Sequence, residues 1–144
     1  MRKNALLRLM LIITLVCFMP AFFSSCKSLE KIEYYSQKEN YISVTGTVSY
    51  IKYNEDSTAL YIELSDLQPV LDDKCFKIVG KNLEITQNNK IDDKLKTGEQ
   101  ITLVTAPKYF GDGYVMPVIS ISISGENLLE FEEGYKNLLD WLSK

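Results

Sequence analysis

The residues that could do chemistry in this chain are two cysteines, one aromatic and glycine-rich run, and a few carboxylate pairs. Cys26 ends the triplet Ser24-Ser25-Cys26, directly after an apolar stretch. A thiol at the end of such a stretch is badly placed to be a structural thiol. Lys108-Tyr109-Phe110-Gly111-Asp112-Gly113-Tyr114 is the second place. Its two glycines permit tight backbone turns. Tyr109, Phe110 and Tyr114 offer stacking faces for a sugar, a base or a peptide group, and Lys108 or Asp112 offers a directed hydrogen bond. Loops carry function disproportionately, which makes this run the candidate ligand-binding segment. The plain alternative is a hairpin turn whose aromatic residues cap the end of a sheet. Tyr53 and Tyr61 could extend the same surface, or serve as ordinary cross-strand packing.

Other combinations are excluded or weak. The chain contains no histidine, which removes Ser-His-Asp and Cys-His nucleophilic chemistry and every imidazole metal site. Cys75 lies in Lys74-Cys75-Phe76-Lys77-Ile78-Val79, a strand-like run, and is read as a small buried hydrophobe. Lys74 and Lys77 are the only nearby cations that could activate it. Asp72-Asp73 and Asp92-Asp93 could offer oxygen ligands to a hard cation, but neither has the spacing of a calcium loop, and both read as solvated turns. No phosphate-cradling glycine loop with its lysine is present. We expect no catalytic residues, no metal site and no cofactor.

The elements that precede Cys26 set the address. Met1 to Arg8 carries Arg2, Lys3 and Arg8 and no acid, and Leu9 to Phe23 is almost wholly apolar. A charged n-region, an apolar h-region and small residues before a cleavage point are the layout of a secretory signal. A spanning helix needs about 20 apolar residues, and this stretch is shorter and interrupted by Pro20. A cleaved leader is therefore preferred over an uncleaved anchor. Phe23-Ser24-Ser25-Cys26 resembles the lipobox of bacterial lipoproteins, with Phe23 in the place of the usual leucine. The resemblance implies that Cys26 carries a diacylglycerol on its sulfur and becomes the N-terminus after cleavage. Two or more acyl chains hold a protein stably on a membrane where one is marginal. The expected location is the extracytoplasmic face of a bacterial cell membrane, with the membrane itself as a partner through the lipid.

The expected organisation is a signal peptide over 1–25, a lipidated N-terminus and tether over 26–40, and one domain over 41–144. Leu29 and Ile32 in the tether share one helix face, so a short helix there is a further expectation. About 119 residues follow the leader, enough for one domain. They carry 13 basic residues against 19 acidic ones, a net charge of −6. Phosphate contacts demand a basic footprint, so nucleic acid is not an expected partner.

The domain reads as mainly β. Ile42, Val44, Gly46, Val48 and Tyr50 alternate with polar residues, the period of a half-buried strand over 41–53. Gly46 in its middle marks a bulge, a bend or a close backbone approach. Further strands are predicted at 59–64, with Tyr61 and Glu63 outward, and at 74–79, 100–106 and 114–124. In the last of these Ile119, Ile121 and Ile123 share a face. One short helix or two turns are predicted over 81–95. An amphipathic helix is predicted over 130–142, with Phe131, Tyr135, Leu138, Leu139 and Leu142 at helical spacing and Trp141 packing back on the body. This element order is similar to the OB-fold, a small five-stranded barrel with a short helix between strands 3 and 4, here followed by a C-terminal amphipathic helix. Another half-open barrel or a sandwich is the alternative architecture. In OB-folds the loops joining the first two and the last two strands border the ligand surface, which implies that Lys108–Tyr114 does so here.

The leader and the domain together resemble small bacterial envelope lipoproteins, a resemblance that transfers no activity. The functional expectation is a non-catalytic binding module for a glycan, a peptide or a protein, using the sheet face and residues 108–114. The alternatives are a structural or assembly subunit of an envelope complex and an OB-fold nucleic-acid binder.

Overall fold

The computed structural model describes residues 29–108 and 115–144. The leader, Cys26 and residues 109–114 lie outside the described residues. The chain divides into two compact units, Met1–Tyr34 and Tyr35–Lys144. In the first, residues 29–34 are helical and Leu29 is exposed. This helix, α1 (29–36), ends within the second unit. No described helix is long and apolar enough to cross a membrane.

Among its described residues the second unit holds six strands, three further α-helices and a short 3-10 helix at Lys38–Asn40. The strands are β1 (Ile42–Tyr53), β2 (Ala59–Gln68), β3 (Cys75–Val79), β4 (Gln100–Thr105), β5 (Met116–Ile123) and β6 (Glu126–Leu129). They form one sheet in the order β3-β2-β1-β4-β5-β6, and β3 also pairs with β5. All pairings are antiparallel except β3–β5. The bonding therefore runs in a ring through β1, β2, β3, β5 and β4, and β6 lies outside it. The ring encloses Val44, Val48, Ile62, Phe76, Leu103 and Ile121, all essentially inaccessible to solvent.

Two features of the element order differ from the sequence expectation. Five strands are predicted, and β6 is a sixth. Its four residues do not alternate, since Leu128 and Leu129 are both buried. Strand periodicity presumes one solvated face, and at Leu128 and Leu129 both faces are covered, while Glu126 and Asn127 are exposed. Between β3 and β4 the chain makes two helices, α2 (Gly80–Asn88) and α3 (Ile91–Lys94). The first starts directly at the end of β3, at Gly80, whose φ of +56° turns the chain.

The last helix, α4 (Phe131–Leu142), has Glu130 as its N-cap residue and Glu132 and Glu133 in its first turn, where carboxylates complement the helix dipole. Its buried residues are Gly134, Asn137 and Leu138. A methyl group on Gly134 would lie 1.8 Å from the carbonyl oxygen of Ile119. Only glycine lets the helix approach β5 this closely. Asn137 Nδ2 donates to Asn82 Oδ1 (3.0 Å), and Asn82 Nδ2 donates to the Gly134 carbonyl (2.9 Å). Asn82 and Asn137 are both buried, and the relay between them fixes α2 against α4. Trp141 is expected to pack on the body, and one edge of its ring meets Gly80. Its Cδ1 covers Gly80, yet the residue remains 43% exposed.

Four register slips reshape the strands, one of them between β5 and β6, where Ile121↔Leu129 gives way to Ser122↔Asn127 and leaves Leu128 extra. Between β1 and β2 the register slips from Thr45↔Gln68 to Thr47↔Ser65, with Asp66 at a φ of +54°. Gly46 lies at this slip, and a Cβ there would meet the Ser65 carbonyl at 2.9 Å. The glycine thus marks both a bulge and a close approach. A second slip separates Val48↔Leu64 from Tyr50↔Glu63 and leaves Ser49 as the extra residue. A third separates Val104↔Ser120 from Thr105↔Val118 and leaves Ile119 extra. Ile119 is buried, but it is Val118 that joins the enclosed core with Ile121 and Ile123. The three isoleucines are predicted on one face, and the bulge parts the first from the other two.

Candidate functional site

The second β1 bulge decides which tyrosines reach solvent. Strict alternation puts Tyr50 on the same side as Val44 and Val48, inside the ring. The extra residue at Ser49 inverts the parity beyond it. Ile51 and Tyr53 then pack against the core, while Tyr50 and Lys52 face outward. Tyr50 is 51% exposed.

The pairings then place the outward residues of three strands on one grid. Tyr50 lies opposite Glu63, and Glu63 opposite Cys75. In the next row Lys52 lies opposite Tyr61, and Tyr61 opposite Lys77. Neighbours across such a sheet have Cβ atoms about 5 Å apart. Tyr61 thus has a lysine on either side. The Lys77 ammonium sits 5.1 Å from the centre of its ring, within the range of a cation–π attraction. An open groove of about 430 Å³ follows this surface, lined by Tyr50, Lys52, Tyr53, Asn54, Glu55, Tyr61, Glu63 and Cys75. Among the described residues neither Lys52 nor Lys77 forms an ion pair.

The rim of the groove is held in place. The Tyr53 hydroxyl donates to Asp92 Oδ1 at 2.6 Å, which links β1 to α3. Burial, and then the bond to Asp92, raise the Tyr53 pKa. In the β1–β2 turn, Asn54 Oδ1 accepts from the Ala59 N–H (2.7 Å), and Asp56 Oδ1 accepts from the Thr58 hydroxyl (2.6 Å). These Thr58 bonds hold the Asp56 carboxyl below its ordinary value.

Cys75 departs from its expected role as a buried hydrophobe. It is partly exposed in the groove, while its neighbours Phe76 and Ile78 point inward. Burial, and then the Glu63 carboxylate, push its thiol pKa up. Lys77 does not activate it, because that ammonium lies over Tyr61. A raised pKa keeps the thiol protonated and a poor nucleophile at neutral pH.

The predicted ligand residues are only partly within view. Tyr109, Phe110, Asp112 and Tyr114 lie outside the described residues, as does the lipidation candidate Cys26. Lys108 is exposed, and it lines a separate cleft of about 270 Å³ with Leu71, Asp72, Asp73, Pro107 and Met116. Its carbonyl accepts a hydrogen bond from the hydroxyl of Tyr35 (2.9 Å), a residue with no exposed surface. The Lys108 backbone is therefore fastened to Tyr35. Among the described residues no cluster of three or more acidic or thiol side chains could hold a metal ion.

Tyr61, Glu63 and Tyr53 are legible as surface candidates from the sequence. Tyr50, Lys52 and Lys77 are not. Alternation places Tyr50 indoors, and the lysines join Tyr61 only through strand pairing. No protein-family model and no curated protein matches this chain.

Proposed function

We propose that the protein is a membrane-anchored, extracytoplasmic binding module with no catalytic activity. Its anchor is a lipid on Cys26, and its body is a small OB-like barrel closed through β1, β2, β3, β5 and β4. The ligand surface is the outer face of β1, β2 and β3, together with the Lys108–Tyr114 loop. The loop enters on its composition alone. One observation carries the reading, the open groove in which Tyr50, Tyr53 and Tyr61 stand with Lys52 and Glu63. Ligand sites are concave surfaces rich in apolar and aromatic groups with a few directing polar ones. This groove has that make-up. The one thiol in it is held in its unreactive form, which supports binding over turnover.

The test has two parts. Retention of glycans and peptides on the immobilised full chain is compared with that on Tyr50→Ala/Tyr61→Ala. The proposal expects retention to be lost while the melting transition is kept. Retention unchanged in the double variant removes the groove from the reading. Metabolic fatty-acid labelling of wild type and Cys26→Ser checks the anchor, with label expected in the wild type alone.

A further inference from the structure

We infer that the open edge of β1 over residues 49–53 takes an extended peptide of another protein as an added strand. The inference rests on the reading of this protein as a binding module, and it names the ligand class and the backbone groups that hold it. The edge is open because β1 outruns its neighbour. Pairing with β4 ends at Thr47↔Gln100. The Val48 N–H then donates to the Glu99 carbonyl (2.9 Å), and the Gly98 N–H donates to the Val48 carbonyl (2.8 Å). β1 runs on to Tyr53, paired with β2 alone. The Ser49 bulge decides which backbone groups face the open side. Antiparallel residues turn their N–H and C=O alternately toward and away from the neighbouring strand. The Asn54 N–H donates to the Ala59 carbonyl (3.0 Å), which sets the phase of this alternation. Lys52, opposite Tyr61, therefore faces β2, and Ile51 and Tyr53 face away. Neither residue has a backbone hydrogen bond on that side among the described residues.

Two donors and two acceptors spaced along one extended segment are the complement of another peptide backbone, the pattern that strand addition uses. The stretch is accessible. Ser49, Tyr50 and Lys52 are exposed, and Ile51 and Tyr53 are half-buried. The Tyr53 hydroxyl bond to Asp92 engages the side chain and leaves the backbone uncommitted. A second copy of this chain is the poorer occupant. The two-fold pairing that uses both open residues of each copy sets Ile51 opposite Tyr53, and Lys52 opposite Lys52. Those lysines would form the close pair of the ladder, with Cα atoms about 4.5 Å apart. Like charges directly opposite are destabilising, and lysine is a common guard of exposed edges against self-association. A strand of different sequence avoids that clash. Its outward side chains lie beside Tyr50 and Lys52, at the side of the groove. An aromatic or β-branched residue is expected opposite Tyr50.

The experiment uses the full chain in detergent micelles. Displayed random peptides of about six residues, an ordinary strand length, are selected on it. The tightest binder is resynthesised unmodified, and with N-methyl groups at its odd or at its even positions. Amide hydrogen exchange is followed by NMR. In the free chain Ile51 and Tyr53 should exchange at least about tenfold faster than Lys52, whose N–H faces β2. The unmodified peptide should slow both amides by about tenfold or more. One N-methylated form should lose about tenfold or more in affinity, the scale of two hydrogen bonds. The other should lose little, because only alternate N–H groups of an added strand face β1. Equal affinity of the two methylated forms overturns the strand mode. Ile51 and Tyr53 as slow as Lys52 without peptide overturns the inference, and protection that grows with protein concentration does so in favour of a second copy. A selected peptide that leaves both amides unchanged overturns the edge as its site and keeps the protein a binding module. No peptide selected overturns the inference alone where glycans are retained by wild type and lost in Tyr50→Ala/Tyr61→Ala. With no glycan retained either, both fall.

Discussion

Tyrosine has two opposite fates in this molecule. At one end Tyr35, Tyr41 and Tyr135 form a clasp that holds residues 35–41 against α4. Each hydroxyl donates to a backbone carbonyl, those of Lys108, Tyr35 and Ser36 in turn. Tyr41 meets Phe131 and Tyr135 edge-on, with ring centres 6.1 and 5.7 Å apart, a favoured aromatic geometry. Lys38 bonds both oxygens of Glu132 and lies 5.1 Å from the centre of the Tyr135 ring. On the outer face of β1–β3, by contrast, Tyr50 and Tyr61 keep their rings toward the groove, with no hydroxyl bond among the described residues. The same residue type is structural where its hydroxyl has an internal acceptor. Its ring stays open to the groove where no described acceptor reaches its hydroxyl.

That contrast can be broken by measurement. The largest effect is expected at the seat of the clasp's helix. Gly134→Ala sets a methyl group against the Ile119 carbonyl, and α4 must lift. We expect a loss of about 3 kcal/mol or more in urea unfolding, the upper range for overpacking. Tyr35→Ala should follow, at about 3–5 kcal/mol for an emptied aromatic site. Tyr35→Phe removes only the bond to the Lys108 carbonyl and should cost about 1 kcal/mol. Tyr61→Ala and Tyr50→Ala, on the other side of the comparison, should change stability by no more than about 0.5–1 kcal/mol. A Tyr61 variant as unstable as the Tyr35 variant would erase the distinction and make the groove tyrosine structural.

The smallest effect sharpens the picture of the groove itself. Because the Cys75 pKa is raised, its folded-state thiol gives up its proton at higher pH than an ordinary cysteine. Iodoacetamide should modify it more slowly than a free cysteine at pH 8, and the rate should climb as pH passes the usual thiol value. Glu63→Gln removes the second cause of the shift, so its rate should rise. A rate in Glu63→Gln equal to that of wild type would place the carboxylate too far away to act.

Much of the fold is legible along the chain, because burial on one face of a strand or helix leaves a local period. The β1–β2 hairpin, the strand at Cys75–Val79 and the amphipathic helix at the C-terminus all follow from such patterns. The legible part of the site is smaller. Tyr61 and Glu63 are readable because β2 is regular through them. Tyr50 is misread because the pattern is continued through Ser49, where one unpaired residue turns everything after it over. The inward face of α4 is misread in part for a related reason. Its seam contains Gly134 and Asn137, small and polar residues that hydrophobic periodicity does not count.

By itself, then, the sequence determined the class of the body, the positions of most strands, the absence of imidazole chemistry and the excess of acid. These depend on composition or on neighbours a few residues apart. Tertiary structure alone decided the four register slips, the close approach of α4 to Ile119, and the meeting of Lys52, Tyr61 and Lys77. Each of these is a matter of register between segments distant in the chain. Register is set by how whole strands pair and what they enclose, and a shift of one residue moves a side chain from core to solvent.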